Sequence, residues 1–258
     1  MSWRLLWGGF AVTAVAVAGL NLAVLHRRHD PATTPRRSTD EWTSVGAGPI
    51  TELKVLLGQR RAWLPVLFAV VYSGTGAVYF TYAASVTQQA GLSAHASALV
   101  YLVVGAAGLL ALFTRRVTDT LGVLPTAILA ALAVAGGVAV LALGARAVPV
   151  ALGSAVLLGA GYMVSAAVLS LWTAREFPTL PSAGLTIGVL AGGASSVLTP
   201  ALAGALTATT TLPTVLLATA LLAALGAAGL AFAARAAART PATPSTVRVS
   251  RWLGSRSR

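Results

Sequence analysis

Seven apolar runs, each of roughly 20 residues, fall at about 3–25, 62–86, 96–114, 123–143, 148–172, 183–206 and 213–236. Each is long enough to cross a hydrocarbon layer of about 30 Å as a helix, which satisfies its own backbone hydrogen bonds where water cannot. The expected fold class is therefore all-α, a polytopic membrane bundle of about seven transmembrane helices. Composition closes the soluble alternative, because 57% of residues are hydrophobic and 9% charged, against roughly 25% charged in an ordinary soluble domain. Short polar connections such as QQAGLSAH (88–95), GARA (144–147) and FPTLPS (177–182) punctuate the runs as hairpin turns do.

Orientation follows from Lys and Arg, which concentrate on the cytoplasmic side. Alternate connections and the tail hold 16 of the 18, and the opposite side holds Arg4 and Arg146. The N-terminus is expected outside and the C-terminus in the cytoplasm, in the plasma (cytoplasmic) membrane. The net charge of +12 is thereby read as a topology signal, so the lipid bilayer is an expected partner and nucleic acid is not. The segments are a first transmembrane helix (1–25), a basic cytoplasmic loop (26–61), a six-helix bundle (62–236) and a basic cytoplasmic tail (237–258). The first run exceeds the core of a signal peptide, which spans about 7 to 15 residues. Within the loop, Ile50, Leu53, Leu56 and Leu57 have helical spacing and predict an interfacial helix over 50–61.

The second run contains VYSGTGAVYFTYAAS (71–85), unusually rich in hydroxyls for a membrane span. At 100° per residue Tyr72, Thr75, Tyr79 and Tyr82 lie within about 80° of one another, a polar stripe running through the helix. In the fifth run Tyr162, Ser165, Leu169 and Trp172 repeat the spacing. Hydroxyls in hydrocarbon are costly unless they meet a cavity or another helix. Tyr72, Thr75, Tyr79, Tyr82, Tyr162, Ser165 and Trp172 are the candidate lining of a solute path. The fourth and seventh runs are almost uniformly apolar and are expected to face lipid.

In the sixth run Gly184, Gly188, Gly192, Ser196, Pro200 and Gly204 recur every fourth residue, a ladder suited to close helix packing, with Pro200 a candidate hinge. At the start of the fourth run Asp119 is placed to complement the helix dipole. No Asp, Glu, Lys or Arg lies near the middle of a run. Enzyme readings find no footing: there is no H-E-x-x-H, no Walker loop and no mid-membrane histidine to serve the serines of GASS (193–196). With no Cys there is no thiolate metal site or disulfide, and neither a cofactor nor a catalytic residue is expected.

Two local motifs give the pattern a family likeness. RRVTDTLG (115–122) is similar to the G-x-x-x-D-R-x-G loop of the major facilitator superfamily, keeping Asp119 and Gly122, with Arg115 where the pattern has Gly and Thr120 where it has Arg. SSVLTPALAGAL (195–206) is similar to that family's glycine–proline signature in helix eleven, with Thr199 in place of Gly. From residue 3 to about 236 the chain resembles the C-terminal half of such a transporter, helices six to twelve, and within the family the YbfB/YjiJ-type carriers are the subgroup expected. The resemblance implies a gating loop at Arg116, Asp119 and Gly122. It also implies a central path along helices seven and ten, onto which the two striped runs map. It further implies transport of a small-molecule substrate, a small organic solute, by alternating access. The half-length implies a truncated chain, a missing N-terminal half or self-association, of which truncation is expected. The rival from another class is a non-transporting seven-helix sensor or assembly protein, whose stripes would be packing surfaces.

Overall fold

Apolar sequence in lipid has one local solution for an open chain, and each run from the second onward adopts it. The computed structural model describes residues 62–178 and 180–239, with positions 15, 19 and 58. The chain separates into two units, Met1–Gly48 and Pro49–Arg258, and the helical bundle belongs to the second. The expected first span, the interfacial helix at 50–61 and the tail beyond 239 lie outside the described residues.

The helices are α1 (Trp63–Gln89), α2 (Ala94–Ala107), α3 (Thr114–Leu121), α4 (Val123–Gly144), α5 (Val148–Glu176), α6 (Pro181–Leu206) and α7 (Leu212–Arg239). A six-residue 3-10 segment, Gly108–Phe113, joins α2 to α3, and Ala94–Leu121 forms one span. Six helices among the described residues are thus long and apolar enough to cross a membrane. Their ends follow local chemistry. Ser93 caps α2 by accepting from the Ala96 N–H at 3.2 Å, and prolines open α5 and α6, where a missing N–H costs nothing. Gly122, at φ +92°, makes the corner between α3 and α4, a conformation that L side chains rarely adopt. The RRVTDTLG segment, expected as a loop, is mostly the helix α3.

Helices α2, α5, α1 and α6 pack in that order, with α4 and α7 packed together across α5 and α1. Exchanging α1 with α5, α2 with α6 and α4 with α7 carries most of these pairings onto one another, so the bundle repeats a three-helix unit. The expectation that the fourth and seventh spans simply face lipid is corrected. One side of α4 buries Ala127, Ala130, Ala131, Val134, Gly137, Val138 and Leu141, while Leu129, Leu132 and Leu143 stay exposed. The least buried spans are α2 and α6. Small residues are the reason. A Cβ at Gly137 would stand 2.9 Å from the Ser154 carbonyl, and one at Gly161 2.8 Å from the Ala130 carbonyl, so α4 and α5 meet backbone to backbone. In lipid, this close fit rather than apolarity is what selects neighbours.

Candidate functional site

The interface of α1 and α5 gathers the aromatic side chains. Trp172 packs on Phe68 with ring centroids 6.0 Å apart, Phe68 on Tyr72 at 5.2 Å, Tyr72 edge-on to Tyr162 at 5.5 Å, and Tyr162 edge-on to Phe80 at 5.4 Å. Five rings therefore run in sequence between two spans, in tilted and edge contacts that aromatic quadrupoles favour. Gly76 makes this possible, since a Cβ there would occupy the ring of Tyr162. One turn along α5 from Tyr162, Ser165 is fully buried and its hydroxyl has no hydrogen-bond partner. An unpaired buried hydroxyl is uncommon and calls for an explanation.

The remaining stripe residues of α1 go elsewhere. Tyr79 is fully buried and its hydroxyl lies 2.9 Å from Ser154 Oγ. Ser154 donates to the Ala151 carbonyl at 2.7 Å, so Tyr79 is the donor in the pair. Tyr82 donates to the Pro200 carbonyl of α6 at 2.9 Å, and Thr75 to the Val71 carbonyl of its own helix at 2.7 Å. The structure thus brings Tyr72, Tyr162 and Trp172 into one region, leaves Ser165 buried on α5 without a partner, and sends Tyr79 and Tyr82 to two different neighbours.

A polar seam between α1 and α6 is not apparent from the sequence. Ser195 donates to the Val70 carbonyl at 2.9 Å and contacts Thr199 at 3.3 Å, and Ser196 reaches the Ser73 carbonyl at 3.4 Å. Gly74 on α1 opposite Ser195, and Gly192 on α6 opposite Ser73, are the local signal that the two helices meet there. The ladder of α6 meets two neighbours: Gly184 lies against Phe177 and Gly188 against Leu169 at the end of α5, and Gly192 against Ser73 and Gly204 against the Tyr82 hydroxyl of α1. The helix runs unbroken through Pro200.

At the other end of the bundle, Asp119 sits on α3 and does not cap α4, which begins at Gly122 without a side-chain cap. Its carboxylate instead receives Arg175 Nη2 at 3.3 Å from the last turn of α5, with Arg115 Nε 3.9 Å away. Arg116, six residues before the Gly122 corner, is exposed.

A sequence profile described as Major Facilitator Superfamily matches residues 1–191. The chain belongs to the major facilitator superfamily. No curated protein matches the chain at a significant level. Membership makes it a multi-pass membrane protein of a family of transport carriers, and the six long apolar helices among the described residues fit that family's architecture. The profile runs from the N-terminal region through the striped helices α1 and α5 into α6.

Proposed function

We propose that this chain forms the wall of a solute path in a secondary carrier of the plasma membrane, working by rocking of helix bundles in alternating access. Family membership is the observation that carries the reading. The path is lined by Tyr72, Tyr162 and Trp172 at the α1–α5 interface, where rings offer faces and edges, and by Ser165 of α5, which offers an unused hydroxyl. Thr75, Tyr79 and Tyr82 belong to the same lining, and Tyr79 and Tyr82 also tie α1 to α5 and α6 in this conformation. Asp, Glu, Lys and Arg are missing from the middle of these spans, which favours a small organic solute of amphipathic character over an inorganic ion. Arg116, Asp119 and Gly122 form the cytoplasmic gate, and the C-terminus lies in the cytoplasm, a reading the basic connections support. A second six-helix half, supplied in the same polypeptide, by a partner or by another copy, completes the path.

The test uses the absence of native cysteine. Tyr72→Cys and Tyr162→Cys, made in the native product in its own host membrane, are expected to react with a small water-soluble thiol reagent. An accumulated solute is expected to slow that reaction. Complete protection of both positions in every condition would overturn the lined path. Failure of host cells lacking the protein to differ from the parent in uptake of any amphipathic solute tested would overturn the transport reading itself.

A further inference from the structure

The span Ala94–Leu121 is not one uniform helix. After Ala107 it tightens into a 3-10 segment of six residues, longer than the three or four beyond which such runs become uncommon. None of the six is buried, and the segment ends at Phe113 with φ −90° and ψ −1°. The residue after it, Thr114, bonds its N–H to the Ala111 carbonyl three positions back, and its side chain is 2% exposed with a hydroxyl that has no partner. Elsewhere in this bundle threonine hydroxyls solve that problem locally. Thr75, Thr126, Thr173 and Thr219 each donate to the carbonyl four residues back, at 2.7 to 2.9 Å. Other threonines bond three residues back, Thr118 to the Arg115 carbonyl at 2.8 Å and Thr207 to the Gly204 carbonyl at 2.6 Å, whereas Thr114 makes neither bond. Beyond it, α3 runs through the Gly122 corner into α4, and its Asp119 contacts Arg175 of α5 at 3.3 Å, an exposed pair.

We infer that Gly108–Phe113 is a helical switch with two forms. In the form seen here the segment is 3-10, Thr114 is unsatisfied, and the Asp119–Arg175 pair retains α3. In the other form the segment is α-helical and Thr114 donates to the Leu110 carbonyl. Relaxing six residues from 3.0 to 3.6 per turn rotates α3 by about 120° relative to α2 and shortens the span by about 3 Å. A rotation of that size carries the Asp119 carboxylate away from Arg175, so the ion pair and the Thr114 bond exclude each other. Two weak interactions of similar size, one surface ion pair and one buried hydroxyl bond, thus oppose each other across one segment. Gly108 marks the start of the switch, facing Met163 of α5, where a Cβ would stand 2.8 Å from its Cγ. The device concerns the span itself and holds whatever the solute.

The experiment measures the distance between spin labels on Leu121→Cys and Ala174→Cys, both exposed, in the full chain in lipid nanodiscs. The parent is expected to give one main distance. Asp119→Asn, or Arg175→Gln should the first variant fold poorly, is expected to add a second population of at least one-fifth of the molecules. Adding Thr114→Val is expected to abolish that population, because the hydroxyl no longer gains a partner in the α form, whereas Thr114→Ser is expected to keep it. A single unchanged distance in both latch variants overturns the switch. So does a second population that survives Thr114→Val, which would mean that α3 moves without helical conversion.

Discussion

Tyr79 of α1 donates to Ser154 of α5 across 2.9 Å, and both residues are fully buried. The bond ties together the two helices that carry the aromatic run. Tyr79 belongs to the same buried cluster as Val134, Val138 and Leu141 of α4 and Leu216 of α7, so the bond lies where no water competes. Interhelical hydrogen bonds in membranes contribute modestly, about 0.6 kcal/mol on average and up to about 1.7, because the separated helices also find partners. Tyr79→Phe is expected to cost about 1 kcal/mol. A double-mutant cycle with Ser154→Ala, read by reversible unfolding in detergent micelles, is expected to give a coupling of the same order. Additive single effects would show that the bond contributes nothing.

The approach of α6 to α1 makes a sharper prediction. A Cβ at Gly204 would stand 2.6 Å from the Tyr82 hydroxyl oxygen but 3.9 Å from the ring carbon that bears it. Gly204→Ala is therefore expected to destabilise the bundle by about 1–3 kcal/mol through overpacking. Tyr82→Phe removes the one atom in the way, and the double variant should recover most of that loss in the same unfolding measurement. The recovery is incomplete because the bond from Tyr82 to the Pro200 carbonyl is lost.

Much of this architecture is legible in the sequence, and the limits are specific. Length and apolarity locate the spans, since each must cross the same thickness of hydrocarbon. The spacing of Tyr72, Thr75, Tyr79 and Tyr82 correctly implies a common face. It cannot say which helix each hydroxyl meets, because partners such as Ser154 and Pro200 lie 75 and 118 residues away. The burial of α4 is hidden for a physical reason: Leu and Ala are equally comfortable in lipid and in protein, so apolarity does not distinguish the two sides. The usable signal is the placement of Gly137 and Gly161, which permits backbone contact between α4 and α5. Asp119 precedes α4 in the chain and so suggests itself as that helix's partner, whereas the corner at Gly122 turns it toward Arg175 of α5.

Two glycines of α5 should respond oppositely to the same change. A Cβ at Gly159 would collide with the backbone carbonyl of Val104 on α2, which no side-chain rotation can relieve. At Gly153 nothing lies within 4 Å. Gly159→Ala is expected to destabilise by at least about 2 kcal/mol and to loosen α2 from α5. Gly153→Ala should be neutral, or stabilise by up to about 1 kcal/mol through its better helix propensity. Unfolding midpoints for the pair, together with hydrogen exchange of α2, check both.

Ser165 separates folding from function within one residue. Its hydroxyl is fully buried without a partner, so in the resting protein it is a cost. Ser165→Ala removes that cost at the expense of a very small cavity, and it is expected to raise unfolding stability by about 1 kcal/mol. If the hydroxyl serves a passing solute, the same variant loses that contact and slows uptake by about fivefold, equivalent to about 1 kcal/mol of lost interaction. Ser165→Cys keeps a weak donor of similar size and should fall between parent and alanine in both measurements. Greater stability with unchanged uptake would assign the hydroxyl no part in transport, and the path would then have to run past Tyr72 and Tyr162 alone.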